Sequence, residues 1–430
     1  MGLSLRPQTP THRSQRLLQR TTTSICVSSF PCSSISISMS SHNLPQPHLN
    51  ESIQEVDKSS WLISNTLLLT HHSTPLPVNS PTDQACWSDS DGGFFALSSA
   101  PEPLPSFKPL RDDSSYISRV HAVDNQAAVW RAGEAFIKAH HMEYPHVTRE
   151  HVTLKLLKDQ EPHDFDFPNV HHHFETNSRY FLVVSRVPGQ LLQDAWPNMD
   201  ESLRQHYIGN VAGVCNCLAA WKGGAISGVD GNQLLERYLL KGNNKSTDAL
   251  APEQLIKDCT EMSMDVSTLV FYHCDLGPTN ILVDVATGSL GIIDWELAGY
   301  VPIEWVRTKF RISAVMDFDY GDEWSKKDWR RKVAQHLEKM GYNDFLDALF
   351  ILHYVQLDIT GGLHCTCIPS PNRGIGRSYG LCESVQRYTL CVYVRSLWCP
   401  LVLAHSLDVD KMYSGFYGTV QSPISLGEGI

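Results

Sequence analysis

The hydrophobic pattern divides the chain into a β-rich part followed by a helical part. From Ser115, "SYISRVHAV" and "AAVWRAGEAFIKAH" alternate apolar and polar residues around an "AGE" turn. That period of two predicts three short antiparallel strands ending near Lys138. Thr148 then reads as an N-cap, with Glu150 as a first-turn acid and Val152, Leu154 and Leu157 as the apolar face of a helix. "YFLVVSRVPG", Tyr180 to Gly189, predicts a buried strand broken by Pro188 and Gly189. Asn198 and Glu201 form a capping-box pair ahead of Leu203, Tyr207, Val211, Val214, Leu218 and Trp221, which recur at helical steps. Ser325 and Asp328 repeat that signature before Trp329, Val333, Leu337 and Met340, with Gly341 as the stop. "DFLDALFILHYVQL" continues the helical reading, and after about Thr360 the periodicity gives way to mixed Gly, Ser, Cys and Pro. There is no internal repeat.

The expected organisation of the 430 residues follows. Residues 1–55 form a disordered or targeting-like tail and 56–114 an irregular extension rich in Ser, Pro and Asp ("SDSDGG", "APEPLPSFKP"). Residues 115–187 form a small β-rich lobe, 188–360 a helical lobe, and 361–430 stay unassigned. A formal net charge of -11 argues against a nucleic-acid partner, which needs clustered Lys and Arg. The longest apolar stretch, "LWCPLVLAH", is far too short to span a bilayer, so no membrane partner is expected, and no motif points to a protein partner. The twelve cysteines are spread thinly, and Cys215, Cys217 and Cys274 sit inside apolar patterns. That usage predicts a reducing, cytoplasmic setting. Arg6, Arg13, Arg16 and Arg20 with no acid before Glu51 are also the composition of a mitochondrial transit peptide, and that alternative stays open.

The chemistry concentrates in "FYHCDLGPTN ILVDVATGSL GIIDWE", Phe271 to Glu296. "ILVD" and "LGIID" flank a five-residue loop holding Thr287 and Gly288, which predicts a hairpin. Pairing Asp284 with Leu290 would set Asn280 opposite Asp294, with Cα atoms about 4.5–5.5 Å apart. An amide oxygen and a carboxylate so placed can share one magnesium ion at roughly 2.1 Å. Asp275, on the loop leading in, would then be near the metal and available to accept a proton. Asn and Asp beside a hairpin are also ordinary turn formers. The combination His273-x-Asp275-x-x-x-x-Asn280, a hairpin, then Ile293-Asp294-Trp295-Glu296 is more specific. It resembles the aminoglycoside phosphotransferase and choline kinase group, fungal members in particular, within the protein-kinase-like fold.

The resemblance covers roughly Ser115 to Tyr354. It implies an α+β, two-lobed fold with a small antiparallel β-rich lobe and a larger, mainly helical one. It further implies an ATP- and Mg2+-dependent transfer of the γ-phosphoryl group to a hydroxyl of a small molecule. Asp275 would be the base, Asn280 and Asp294 the metal ligands, and Lys138 the phosphate clamp held by Glu150. Ser185 and Val187 would belong to the linker whose backbone meets adenine. His273 is expected to brace its loop by hydrogen bonding. Two departures bear on activity. The turn "AVDNQAAV" lacks the glycines of a phosphate loop, and Trp295-Glu296 is followed by no activation segment, which favours a small acceptor over a protein. A kinase-fold binding module without turnover is the rival reading. His171, His172 and His173 with Cys365 and Cys367 lack a second ligand pair at zinc spacing, and Asp317, Asp319, Asp322 and Glu323 read as an acidic surface loop.

Overall fold

The computed structural model describes residues 48–74, 85–112, 114–123, 125–160, 163–242, 246–345, 387–394 and 397–404. The expected tail up to residue 47, the helical reading beyond 345 and Cys365 and Cys367 lie outside them. A first sheet comes from β1 (Ile53–Glu55), β2 (Ser60–Ile63), β3 (Leu67–His72), β4 (Cys86–Ser88), β5 (Phe94–Ser99) and β6 (Lys108–Pro109), in the order β4-β5-β3-β2-β1-β6. This corrects the reading of 56–114 as an irregular extension. The strands are two to six residues long and separated by Ser, Asn, Asp and Gly turns, so turn composition masks their alternation. Ser64 and Asn65 both take positive φ where β2 turns into β3.

The second sheet and its helix come from β7 (Ile117–Val123), β8 (Ala127–Ala132), β9 (Ala135–His141), helix α1 (Glu150–Asp159), β10 (Val170–Thr176) and β11 (Arg179–Ser185). Its order is β10-β11-β9-β8-β7, antiparallel throughout. Lys138 lies inside β9, three residues before its end, not at the strand terminus. Helix α1 starts one residue beyond the expected cap: Arg149 holds the N-cap position, while Thr148 hydroxyl bonds to Asp230 instead.

The two sheets pack face to face. Ala128, Trp130 and Ala132 of β8, Ile137 and Ala139 of β9, and Phe181 and Val183 of β11 form one buried cluster with Trp61, Ile63, Leu69, Trp87, Phe95 and Leu97 of the first sheet. Residues in between, such as Lys138, Leu182 and Val184, project to the opposite face because strand side chains alternate. One face of the second sheet therefore packs on the first sheet, and the other carries Lys138 and buries Tyr180, Leu182 and Val184 in the cluster that holds Leu154 and Leu157 of α1.

The larger lobe follows through β12 (Gln190–Leu191), α2 (Leu192–Ala195), α3 (Glu201–Leu218), β13 (Lys222–Gly223), α4 (Pro252–Glu261), β14 (Leu269–Tyr272), β15 (Ile281–Asp284), β16 (Ser289–Ile292), β17 (Gly299–Pro302), α5 (Ile303–Ile312) and α6 (Ser325–Lys339). The caps again sit beside the expected ones. Asp200, rather than Asn198, accepts the Leu203 N–H at 2.8 Å. Asp322 Oδ1 accepts the N–H groups of Trp324 and Ser325 at the head of α6. Nearby acids of equal reach compete for a helix start, and backbone entry geometry decides among them. Within the unassigned region, β18 (Arg387–Val394) and β19 (Leu397–Ala404) pair as an antiparallel hairpin. Among the described residues no helix is long and apolar enough to cross a membrane.

Trp130 is fully buried between the sheets. Trp130→Ala should lower the unfolding free energy by about 3–5 kcal/mol, measured by denaturant titration. A loss under about 1 kcal/mol would show that the two sheets do not share one packed core.

Candidate active site

Strand β14 delivers the chain into the loop from His273 to Thr279, and the β15–β16 hairpin takes it away again. The hairpin register differs from the expected one by a residue. Asp284 pairs with Ser289 and Ile281 with Ile292, because the Gly288 N–H closes a tighter turn onto Asp284 O at 2.7 Å. Gly288 takes φ +75°, which glycine adopts without strain. A one-residue change in register would turn Asp294 away from Asn280, whose partner is now Ile293. Asp294 is returned to the site by its own backbone. It sits at φ 66°, ψ 61°, in the left-handed region that Asp tolerates better than most residues.

The surroundings hold that conformation. Lys138 Nζ donates to Asp294 Oδ1 at 2.6 Å and to Glu150 Oε2 at 2.6 Å. The other oxygen of Glu150 accepts the Trp295 N–H at 3.2 Å. Glu150 thus joins helix α1 to both the strand lysine and the segment after Asp294. All three charged groups are buried, with Lys138 only 8% exposed. Burial by itself would lower the Lys138 pKa, but the carboxylates of Asp294 and Glu150 outweigh it and raise the pKa, so the ammonium is secured. Burial also opposes charge on Asp294, yet the Lys138 ammonium holds its carboxyl below the usual range. Glu150 goes the other way, raised chiefly by burial.

Asp275 is the second centre. Asn280 Nδ2 donates to both Asp275 O and Asp275 Oδ2 at 2.9 Å, locking loop and hairpin together. That fixes the orientation of the amide and leaves its oxygen as the end able to bind a cation. Asp275 N–H donates to His273 Nδ1 at 3.2 Å, while His273 Nε2 donates to Ile293 O at 3.0 Å. Both ring nitrogens are thereby committed in the neutral form, and burial pushes the His273 pKa down to about 4. Burial raises Asp275 to about 7, opposed mainly by the ammonium of Lys309.

Several features of the site left no trace in the sequence pattern. Beneath the loop, Lys309 of α5 donates to Glu236 Oε2 at 2.6 Å, with Trp305 Nε1 on the same oxygen and the Tyr238 ring 4.3 Å from the ammonium. His140 Nδ1 lies 3.5 Å from Glu296 Oε2. Val187, Leu191, Leu282 and Ile293 form a small apolar cluster separate from the main cores. A Cβ on Gly291 would come within 2.4 Å of Val187, so glycine is required where that cluster crosses the hairpin. In the sequence, Val187 stood out only as part of the linker that the resemblance implies. Ser185 is tied back through its hydroxyl, which accepts the Asn169 N–H at 2.9 Å.

Other candidates are accounted for structurally. Asp317 pairs with buried Arg330, Asp319 accepts from Gln193, Asp322 caps α6, and Glu323 faces Lys326 and Lys327. His171 stacks on Trp87 and His173 on His151. Lys155 is exposed and pairs with Asp159 within its helix. Among the described residues no group of three or more His, Cys, Asp or Glu is assembled as a ready metal cluster. The oxygen donors of Asn280 and Asp294 nonetheless suit a hard cation that takes its remaining ligands from phosphate and water.

Residues 117–305 match the APH family of phosphotransferase enzymes. The match spans the second sheet, the loop from His273 to Thr279, the hairpin and the start of α5. Among solved structures, the chain is similar to APH(2'')-IIa in its streptomycin–ATP ternary complex, at 13% identity and a TM-score of 0.35 over 57% of this chain and 84% of that one. It is also similar to ADP-bound APH(2'')-Ib, at 14% identity and a TM-score of 0.36 over 57% and 84%. A third is APH(3'')-Id from Streptomyces rimosus, at 17% identity and a TM-score of 0.32 over 54% and 88%. No curated protein matches the chain. The architecture is α+β with antiparallel sheets, and the matched segment is that of the phosphotransferase enzyme family.

Lys309→Met would leave Glu236 charged and uncompensated in the core. It should cost about 3–5 kcal/mol of stability, read by denaturant titration. Adding Glu236→Gln should recover part of that loss, and a double variant no better than the single one would refute a mutual dependence of the pair.

Proposed function

We propose that the protein transfers the γ-phosphoryl group of ATP, with magnesium, to a hydroxyl of a small molecule. The observation that carries this reading is Lys138 held by both Glu150 and Asp294, beside the loop where Asn280 holds Asp275. An isolated structural ion pair has no need of a second carboxylate, a locked amide and a separately buried Asp in one place.

Phosphoryl transfer asks the protein for positioning and charge neutralisation more than for covalent chemistry. Lys138 would contact the phosphates, and the apolar cluster around Val187 would receive the base, with the backbone from Ser185 to Val187 alongside it. Asn280 and Asp294 would hold the metal, which neutralises phosphate charge when bound. Asp275 would accept the proton of the attacking hydroxyl, its carboxylate held by the Asn280 amide. A kinase-fold module that binds nucleotide without turnover is favoured by one observation only, the glycine-free turn between β7 and β8.

Screening the purified chain for hydroxyl-dependent ADP release across amino alcohols, sugars and aminoglycosides tests the reading. Release with none of them, despite tight ATP binding, would leave the binding-module reading. With an acceptor found, Asp275→Asn should lower kcat by about 10²–10⁴-fold while changing nucleotide affinity little. Asp294→Asn should instead weaken magnesium and nucleotide binding together, and identical profiles for the two variants would show the roles to be misassigned. Lys138→Ala should raise the KM for ATP and lower kcat, with Glu150→Ala weaker in the same direction. Full activity in Lys138→Ala would remove the clamp from the mechanism.

A further inference from the structure

The face-to-face packing of the two sheets gives way to a pair of polar cavities. One, of about 300 Å³, is lined by Glu55 of β1, Trp61 of β2, His71 of β3, Arg111 and Tyr116. A second, of about 220 Å³, is lined by Asp89, Asp91, Phe95, Ile117 and Arg131 and shares Tyr116 with the first. Trp61, Phe95 and Ile117 belong to the core between the sheets, so both cavities adjoin it. The larger alone reaches the range of small-molecule sites, about 300–1,000 Å³. Lys138, Asp275, Asn280 and Asp294 line neither of them.

The residue common to both cavities is an ordered aromatic platform. Tyr116 is 37% exposed. Its ring stacks on His71 at a centroid distance of 4.0 Å, with the Trp61 ring edge-on at 6.1 Å. His71 is buried, and its Nε2 bonds to Asp89 Oδ2 at 2.7 Å. Asp89 Oδ1 in turn accepts the N–H groups of Asp91 and Gly93 at 2.8 and 2.7 Å. A Cβ on Gly93 would come within 2.4 Å of Asp89 Oδ2 and 2.5 Å of His72 O, so the arrangement requires glycine there. The Tyr116 ring is held before any ligand arrives, which removes the entropy cost of ordering it on binding.

Among the described residues that line the cavities, three acids, Glu55, Asp89 and Asp91, are matched by three bases, Lys58, Arg111 and Arg131. An anion would meet the carboxylates, and a cation the ammonium and guanidinium groups, so neither gains from the whole set. An apolar ligand would strip water from six charged groups. A hydroxyl donates and accepts at once, so a ligand with several can bond to carboxylates and guanidinium groups side by side. The hydroxyls of Ser59 and Ser118 extend the same chemistry. The C–H face of a sugar ring supplies apolar surface for the exposed ring of Tyr116. We propose that the cavities bind an uncharged sugar of one or two rings, with Tyr116 as its stacking platform. The site is independent of the phosphotransferase reading, and most of its lining precedes the matched segment.

Calorimetry on the full chain tests this with glucose, galactose, mannose and maltose, against citrate as an anion and spermidine as a cation. At least one sugar should bind saturably, and neither ion should. Tyr116→Ala should weaken that sugar by about 3- to 10-fold through the lost ring contact. Tyr116→Phe keeps the ring and should stay within about threefold of wild type. Should Tyr116→Ala not fold, Asp91→Ala at an exposed position should weaken the sugar by about 3- to 10-fold through a lost hydrogen bond. Wild-type protein that binds none of the four sugars overturns the inference, as does citrate or spermidine binding that Tyr116→Ala abolishes. A sugar bound equally by wild type, Tyr116→Ala and Asp91→Ala sits elsewhere, at the phosphotransferase site for instance, and overturns it too.

Discussion

One lysine organises this protein's candidate site. Lys138 projects from the middle of β9 and is shared by Glu150 of α1 and Asp294 after β16, three elements far apart in sequence. A buried ammonium with one carboxylate balances charge only in part against its lost hydration. With two it is secured, and each carboxylate in turn gains a constraint. Asp294 is kept in a left-handed conformation it would seldom hold alone, and Glu150 spends its second oxygen on the backbone N–H of Trp295. The cluster therefore fixes the position of α1 relative to the hairpin, and with it the spacing between small lobe and large lobe.

The remainder of the fold serves that spacing. The outer face of the second sheet is buried by the first, so the strand carrying Lys138 is backed by Trp130, Trp61 and Phe95 rather than by solvent. On the other side, the buried Lys309–Glu236 pair and fully buried Trp305 support the floor under Asp275. Trp295 fills the joint between them, stacking near Phe165 and Phe271 and donating its indole N–H to Ile292 O. The buried ammonium groups of Lys138 and Lys309 each have a carboxylate partner on another segment.

How much of this was legible in the sequence depends on where the information resides. The motif from His273 to Glu296 is local, and its chemistry constrains residue types at fixed spacing, so Asp275, Asn280 and Asp294 stood out. Three strands of the second sheet followed from alternation and β11 from its apolar run, whereas β10, which carries His171 to His173, reads as a loop in the sequence. The first sheet escaped because its strands are short and its turns dominate the composition. The hairpin register was missed by one because Gly288 closes a tighter turn than the five-residue loop assumed. The helix starts moved by one or two residues because Asp200 and Asp322 outcompete equally plausible neighbours. The Asp294–Lys138 contact and the Lys309–Glu236 pair have no sequence signature at all, since each joins residues brought together only by the tertiary fold.

On the proposed function, the charged cluster receives a phosphate-bound cation, and Asn280 and Asp294 would not approach phosphate oxygens without it. Calorimetric titration of the wild-type chain with ATP, in the presence and absence of magnesium, tests that most directly. Markedly tighter binding with the metal is the predicted result. Equal affinity in both conditions would contradict it and leave Lys138, Glu150 and Asp294 as a structural ion cluster.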